Sequence, residues 1–166
     1  VVGTRLLAPP LCVGSDEHYE LTKALLWARG HSLYQEAWDD QPPLHTALLG
    51  LCFKVFGPSI GVARVLAVAF GLSLLAGCSV LVKRRCGTLA AFVATACLLV
   101  APQVFQLSVS VMLEVPAIGT ALWALWPILR WQRSRKWPWL ALSGFILAAA
   151  LQIKLTAAVV APALVV

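Results

Sequence analysis

The chemistry-bearing residues of this chain are its seven carboxylates and the few polar groups beside them. Asp16, Glu17, Glu20, Glu36, Asp39 and Asp40 all precede the first long apolar run, and Glu114 interrupts a later one. His18, Tyr19, Gln41, His45 and Lys154 accompany them. A carboxylate at a membrane surface can deprotonate an acceptor hydroxyl or amine. Further carboxylates can hold a divalent cation that bridges a phosphate, and a lysine can pair with the same phosphate as a point charge. A lipid phosphate carrying a sugar is a substrate that would use all three.

Each group also has an ordinary structural reading. Ser15 followed by Asp16-Glu17 is helix-start grammar, an N-cap with acids in the first turn. Asp39-Asp40 before Pro42-Pro43 can be a solvated loop. Glu114 can be a helix-start carboxylate beside Pro116. Lys154 is an isolated ammonium in an apolar stretch, able to snorkel, to pair with Glu114 or to bind an anion. Ionisable groups at membrane depth are costly and usually functional, which favours the chemical reading most at Glu114.

The chain has 166 residues, 60% of them hydrophobic and 12% charged. Soluble domains are roughly half apolar and a quarter charged, so these values point to an integral membrane protein. The net charge of +6 does not indicate nucleic acid. The basic residues flank apolar runs, in the positive-inside pattern, with no aromatic-interleaved basic patch. Cys12, Cys52, Cys78, Cys86 and Cys97 are odd in number and include no C-x-x-C. They read as small packing residues rather than as a disulfide framework or a zinc site.

The elements that must position the carboxylates follow from pattern and punctuation. Ser15 to Gly30 reads as a short amphipathic helix, with Leu21, Ala24, Leu25 and Ala28 at helical spacing. Pro42-Pro43 opens a helix over 44–56 that ends at Gly57-Pro58. At about 1.5 Å per residue it is roughly 20 Å long, short of a ~30 Å hydrocarbon core, and is expected to lie on the outer surface. Residues 60–82 are long enough to span and lead into Lys83-Arg84-Arg85. The chain is expected to return over 88–106, to cross again over 113–129 as far as the basic residues 130–136, and to run outward over 138–153. Trp123, Trp126, Trp131, Trp137 and Trp139 gather toward the basic side, as an aromatic belt would. This topology puts seven Lys/Arg and no acid inside, and all seven acids outside. The expectation is an all-α, multi-pass transmembrane bundle in one domain. Residues 1–13 would be the end of a first transmembrane helix, 14–58 an outer loop with juxtamembrane helices, and 59–166 transmembrane helices. The apolar stretches at both ends suggest a piece of a longer membrane protein.

The ordered residues resemble the N-terminal part of polyprenyl-phosphate-dependent glycosyltransferases of the GT-C fold, in the group related to protein O-mannosyltransferases and lipid A aminoarabinose transferases. The resemblance is carried by Asp16-Glu17 with Tyr19, Trp27-Ala28-Arg29-Gly30, Asp40-Gln41-Pro42-Pro43-Leu44, Phe56-Gly57 with Arg64, Met112-Leu113-Glu114, and Gly144 with Lys154. Many relatives have Lys at the position of Gln41 and Asp at that of Glu114. The resemblance implies Asp16, with Glu17, as catalytic base, and Asp40 and Glu114 as metal or substrate carboxylates. It implies Lys154 as a contact to the lipid phosphate, with His18, Tyr19, Gln41 and His45 lining the substrate site. It further implies an integral protein of the plasma membrane that moves a sugar from a polyprenyl-phosphate donor to an acceptor on the outer face, with inversion and with a divalent metal ion as the one cofactor to consider. A transporter or a non-catalytic structural subunit is the rival reading. A transporter would place ionisable groups at mid-membrane, where this chain has few.

Overall fold

The computed structural model describes residues 15–164. The expected first transmembrane stretch, 1–13, lies outside the described residues, as does the side chain of Ser15. Among the described residues the chain is all-α, with one isolated bridge between Leu33 and Ala37 and no strand.

Helix α1 covers Ser15–Ala28 and carries Asp16 and Glu17 in its first turn. The chain leaves it through Gly30, at φ 99°, into an irregular segment that includes Tyr34 at φ 72°. Helix α2, Leu44–Phe56, stops at Gly57, whose φ of 83° ends the helical path. It packs closely on α1. A Cβ at Gly50 would come within 2.4 Å of the Trp27 ring, so only glycine permits this crossing. Ala24, Leu49, Phe53, Ala63 and Val111 form the core that joins α1 and α2 to the start of the next helix.

Helix α3, Ile60–Val100, begins with Ser59 as its cap, its side chain accepting from the Val62 N–H. It is broken at Gly87, at φ 89° and ψ 176°. Leu98, Leu99, Val104 and Phe105 line the same groove as Val68, Gly71, Leu72 and Leu75. A straight helix would hold Leu75 and Leu98 about 35 Å apart, so the chain folds back on itself at Gly87. The expected reversal after the first basic cluster is therefore made by one glycine, without a loop. Helix α4, Pro102–Val109, continues this return and lays Ser108 against Gly71.

Helix α5, Glu114–Ser134, crosses α4 at 103° and extends beyond the expected 129, up to Arg135 in the left-handed region. It packs on α3, where Leu74 meets Gly119 and the Trp123 indole donates to the Ser73 carbonyl at 3.1 Å. Helix α6, Trp137–Leu151, returns along α5, with the Ser143 hydroxyl donating to the Ala124 carbonyl at 2.8 Å. A 3-10 helix, Leu155–Leu164, closes the described chain. Leu113, Ala117, Ala121, Ala150, Ile153 and Ala157 make the second core. By length and composition Ile60–Val100 qualifies as a membrane-crossing helix, and α4 with α5 would add a second if that bent pair is counted as one span.

Candidate functional site

Four parts of the fold meet at one cleft of about 230 Å3. Helix α1 contributes Asp16, Tyr19 and Glu20, and the segment before α2 contributes Asp40 and Gln41. The start of α5 contributes Met112, Leu113 and Glu114, and Lys154 comes from the turn after α6. Two backbone ties hold these parts in register. The Leu44 N–H donates to the Gln152 carbonyl at 3.0 Å, which joins the start of α2 to the end of α6. The Val111 N–H donates to Glu17 Oε1 at 3.2 Å, which joins α1 to the turn before α5.

The cleft therefore unites Asp16, Tyr19, Asp40, Gln41, Glu114 and Lys154. Glu17, His18 and His45 stand elsewhere. Glu17 is buried on the other side of α1 and pairs with Arg64 at 3.6 Å. His18 is exposed. His45 is 1% exposed, inside α2.

Glu114 opens α5, where its charge suits the helix dipole. One of its oxygens, Oε1, receives a hydrogen bond from the Lys154 ammonium. The other, Oε2, is buried and has no hydrogen-bond partner among the described residues. Asp40 is exposed, receives the Gln41 side-chain amide at 3.1 Å, and stands 4.0 Å from Lys23.

Beneath Asp40 lies a buried ionic network. Lys23, 2% exposed, donates to Asp39 and contacts Glu20, each at 2.8 Å. Burial alone would lower the Lys23 pKa, but its bonds to Asp39 and Glu20 outweigh that and raise it. Burial raises the Glu20 pKa despite Lys23. Asp39 also accepts the Gln41 N–H at 3.0 Å and so holds the Asp40-Gln41 turn against α1. Tyr19 bonds the Trp38 carbonyl at 2.9 Å and Tyr34 the Gln41 carbonyl at 2.8 Å, fixing both flanks of the turn. Sequence reasoning passed over Glu20 and Lys23 as site residues. Their signal was helical spacing, since 16, 19, 20 and 23 share one face of α1.

Burial, aided by the nearby Lys23 charge and opposed by Asp39, lowers the His45 pKa from 6.5 to about 4. His45 is therefore neutral in the fold at neutral pH. Its folded pKa lies below its unfolded one, so its contribution is full above about pH 6.5 and is lost as pH falls toward 4. That gap corresponds to on the order of 3 kcal/mol. Thermal unfolding of the purified protein should show stability falling from pH 7.5 to pH 5, and His45→Leu should flatten that slope.

Among the described residues no three His, Cys, Asp or Glu side chains cluster closely enough to hold a metal ion. At Glu114 the Lys154 ammonium already supplies the positive charge. The carboxylates present do not by themselves fit a resident divalent ion.

Comparison with known proteins gives one family. The family described as dolichyl-phosphate-mannose-protein mannosyltransferase matches residues 40–166. The match includes Asp40, Gln41, His45, Glu114 and Lys154 and begins after Asp16, Glu17, His18 and Tyr19. No curated protein and no solved structure matches the chain.

Proposed function

The chain belongs to the dolichyl-phosphate-mannose-protein mannosyltransferase family, membrane glycosyltransferases of the GT-C type, and from that premise we propose that it transfers a sugar from a polyprenyl-phosphate donor to an acceptor on the extracytoplasmic face. The observation that carries this reading is the convergence of Asp16, Asp40, Glu114 and Lys154 on one cleft. The protein is a multi-pass bundle of the plasma membrane, with the carboxylate cleft outside and the basic residues 83–85 and 130–136 inside.

In the proposed reaction an acceptor hydroxyl attacks the anomeric carbon of the sugar. The new C–O bond forms as the bond to the phosphate oxygen breaks, and configuration inverts. Asp16 takes the hydroxyl proton, and polyprenyl phosphate leaves. Lys154, held at the cleft by Glu114, offsets the charge that grows on the departing phosphate. Asp40, exposed at the cleft, accepts hydrogen bonds from sugar or acceptor hydroxyls. Glu17, tied to Arg64 and Val111, sets the position of the α1 start. The step needs no metal, because Glu114 is neutralised by the Lys154 ammonium, and EDTA should leave the rate unchanged.

The test uses the full-length protein in membranes with a radiolabelled polyprenyl-phosphate sugar, following release of polyprenyl phosphate. Lys154→Met should reduce release by roughly 10- to 100-fold, as expected for one charge-assisted bond strengthened in the transition state. Unchanged release would remove Lys154 from the reaction. No release from the wild type across several donors would favour a transporter or structural role.

A further inference from the structure

The two basic segments, far apart in sequence, meet at the other end of the helices. Arg84 and Arg85 from α3 line a cleft of about 190 Å3 with Gln132 and Arg133 from α5, beside Leu129. Arg64, which holds Glu17, is twenty residues before Arg84 on α3, and Glu114 is nineteen before Arg133 on α5. Both intervals are helical apart from their ends and correspond to about 30 Å, the thickness of a hydrocarbon core. The arginine cleft thus sits one bilayer core away from the carboxylate cleft.

Among the described residues no carboxylate side chain pairs with it. No carboxylate occurs between residues 41 and 113 or after 114. The Arg84 guanidinium lies over the Trp126 ring at 5.4 Å, and that of Arg130 lies over the same ring at 5.2 Å. A cation–ring contact does not use up the N–H donors of a guanidinium, which can make a forked contact with an anion. Trp126 is itself fixed by an edge contact with Trp139 at 5.6 Å. The cleft is therefore held open by aromatic packing, with three arginines converging on a space that an oxyanion would fill.

We propose that this cleft binds the phosphate of an anionic phospholipid in the leaflet on the basic side. A lipid suits it better than a free anion, because apolar surface flanks both segments. Leu89 is 78% exposed just beyond Arg85, and Trp137 is 74% exposed just beyond Arg133. These side chains offer an acyl chain and an interfacial glycerol something to lie against. Bound there, the headgroup bridges α3 at Arg84 and Arg85 to α5 at Arg133, and α5 carries Glu114 of the far cleft at its other end.

The inference rests on the membrane-embedded reading above, and its test separates the two. The full-length protein is reconstituted in phosphatidylcholine vesicles with a minor fraction of phosphatidylglycerol, extracted in mild detergent, and its retained lipid identified by native mass spectrometry. Carbonate washing of the same vesicles reports embedding. Wild type should resist carbonate and retain phosphatidylglycerol over phosphatidylcholine. Arg84→Gln with Arg133→Gln should weaken retention by roughly fivefold per arginine with carbonate resistance unchanged. Arg84→Lys with Arg133→Lys, which keeps the charge but loses the forked contact and the hold on Trp126, should fall between the wild type and the glutamine variant. Equal retention in the glutamine variant overturns the proposal. Displacement of the lipid by millimolar inorganic phosphate also overturns it, in favour of a free-anion pocket. An embedded wild type with no preference for phosphatidylglycerol sinks this inference alone, and a wild type removed by carbonate sinks the membrane reading with it.

Discussion

Asp16→Asn should lower sugar transfer by about 10²- to 10⁴-fold, the usual loss on removing a positioned general base, while leaving the fold intact. The neighbouring Glu17→Gln should do the reverse. Asp16 is exposed and lines the cleft, so replacing one oxygen by an amide disturbs no packing. Glu17 is 3% exposed, faces away, accepts the Val111 N–H and pairs with Arg64. The amide keeps an acceptor for the Val111 N–H but loses the charge that pairs with Arg64, which weakens the clamp between α1 and the turn that presents Glu114. The expected result is a lower melting temperature and only a modest change in rate per folded molecule. If both variants lost activity equally with normal stability, the two acids would share the chemistry. If neither lost activity, the base would lie elsewhere.

The contrast between adjacent acids also shows what a linear reading can and cannot supply. The bounds of α1 and α2 were legible, because Gly30, Pro42-Pro43 and Gly57-Pro58 punctuate strongly and the structure stops where they do. Charge and apolar length put the two basic clusters on one side, but that they share a cleft is seen only in the fold. The ends of α3 and α5 were not legible. Lys83 to Arg85 and Arg130 to Arg133 read as loop residues, yet they continue their helices, since long basic side chains are good helix formers and can reach water from a helix end. The reversal needed only Gly87. At the site, residue type singled out Asp16, Asp40, Glu114 and Lys154, but which face of α1 is buried depends on where α2 and α5 land. That dependence sends Glu17 and Asp16 in opposite directions. It also hid Lys23, which in sequence is one cation among thirteen and in the fold is among the largest fully buried side chains.

Lys23→Met should be the most destabilising single substitution in the site region, at about 3–5 kcal/mol, because it strands buried charge. The ammonium serves Asp39 and Glu20 at 2.8 Å each, and the side chains of both are almost wholly buried. Without it, Asp39 and Glu20 must be protonated or drawn toward water, and the Asp40-Gln41 turn moves with Asp39. The sign of the pH dependence follows. Burial already raises the Glu20 pKa with Lys23 in place, and without the ammonium that opposition is gone, so the deficit should be small in acid and grow as pH rises toward neutrality. Glu20→Gln and Asp39→Asn, added to Lys23→Met, should recover much of the loss, since the site then holds no unpaired charge. A double-mutant cycle isolates that coupling. Recovered stability without recovered transfer would mean that the network's ionic character is needed to hold Asp40 at the cleft. A Lys23→Met protein as stable as wild type at neutral pH would mean that the three groups are not buried together as a charged cluster, and the placement of the Asp40 turn would need another cause.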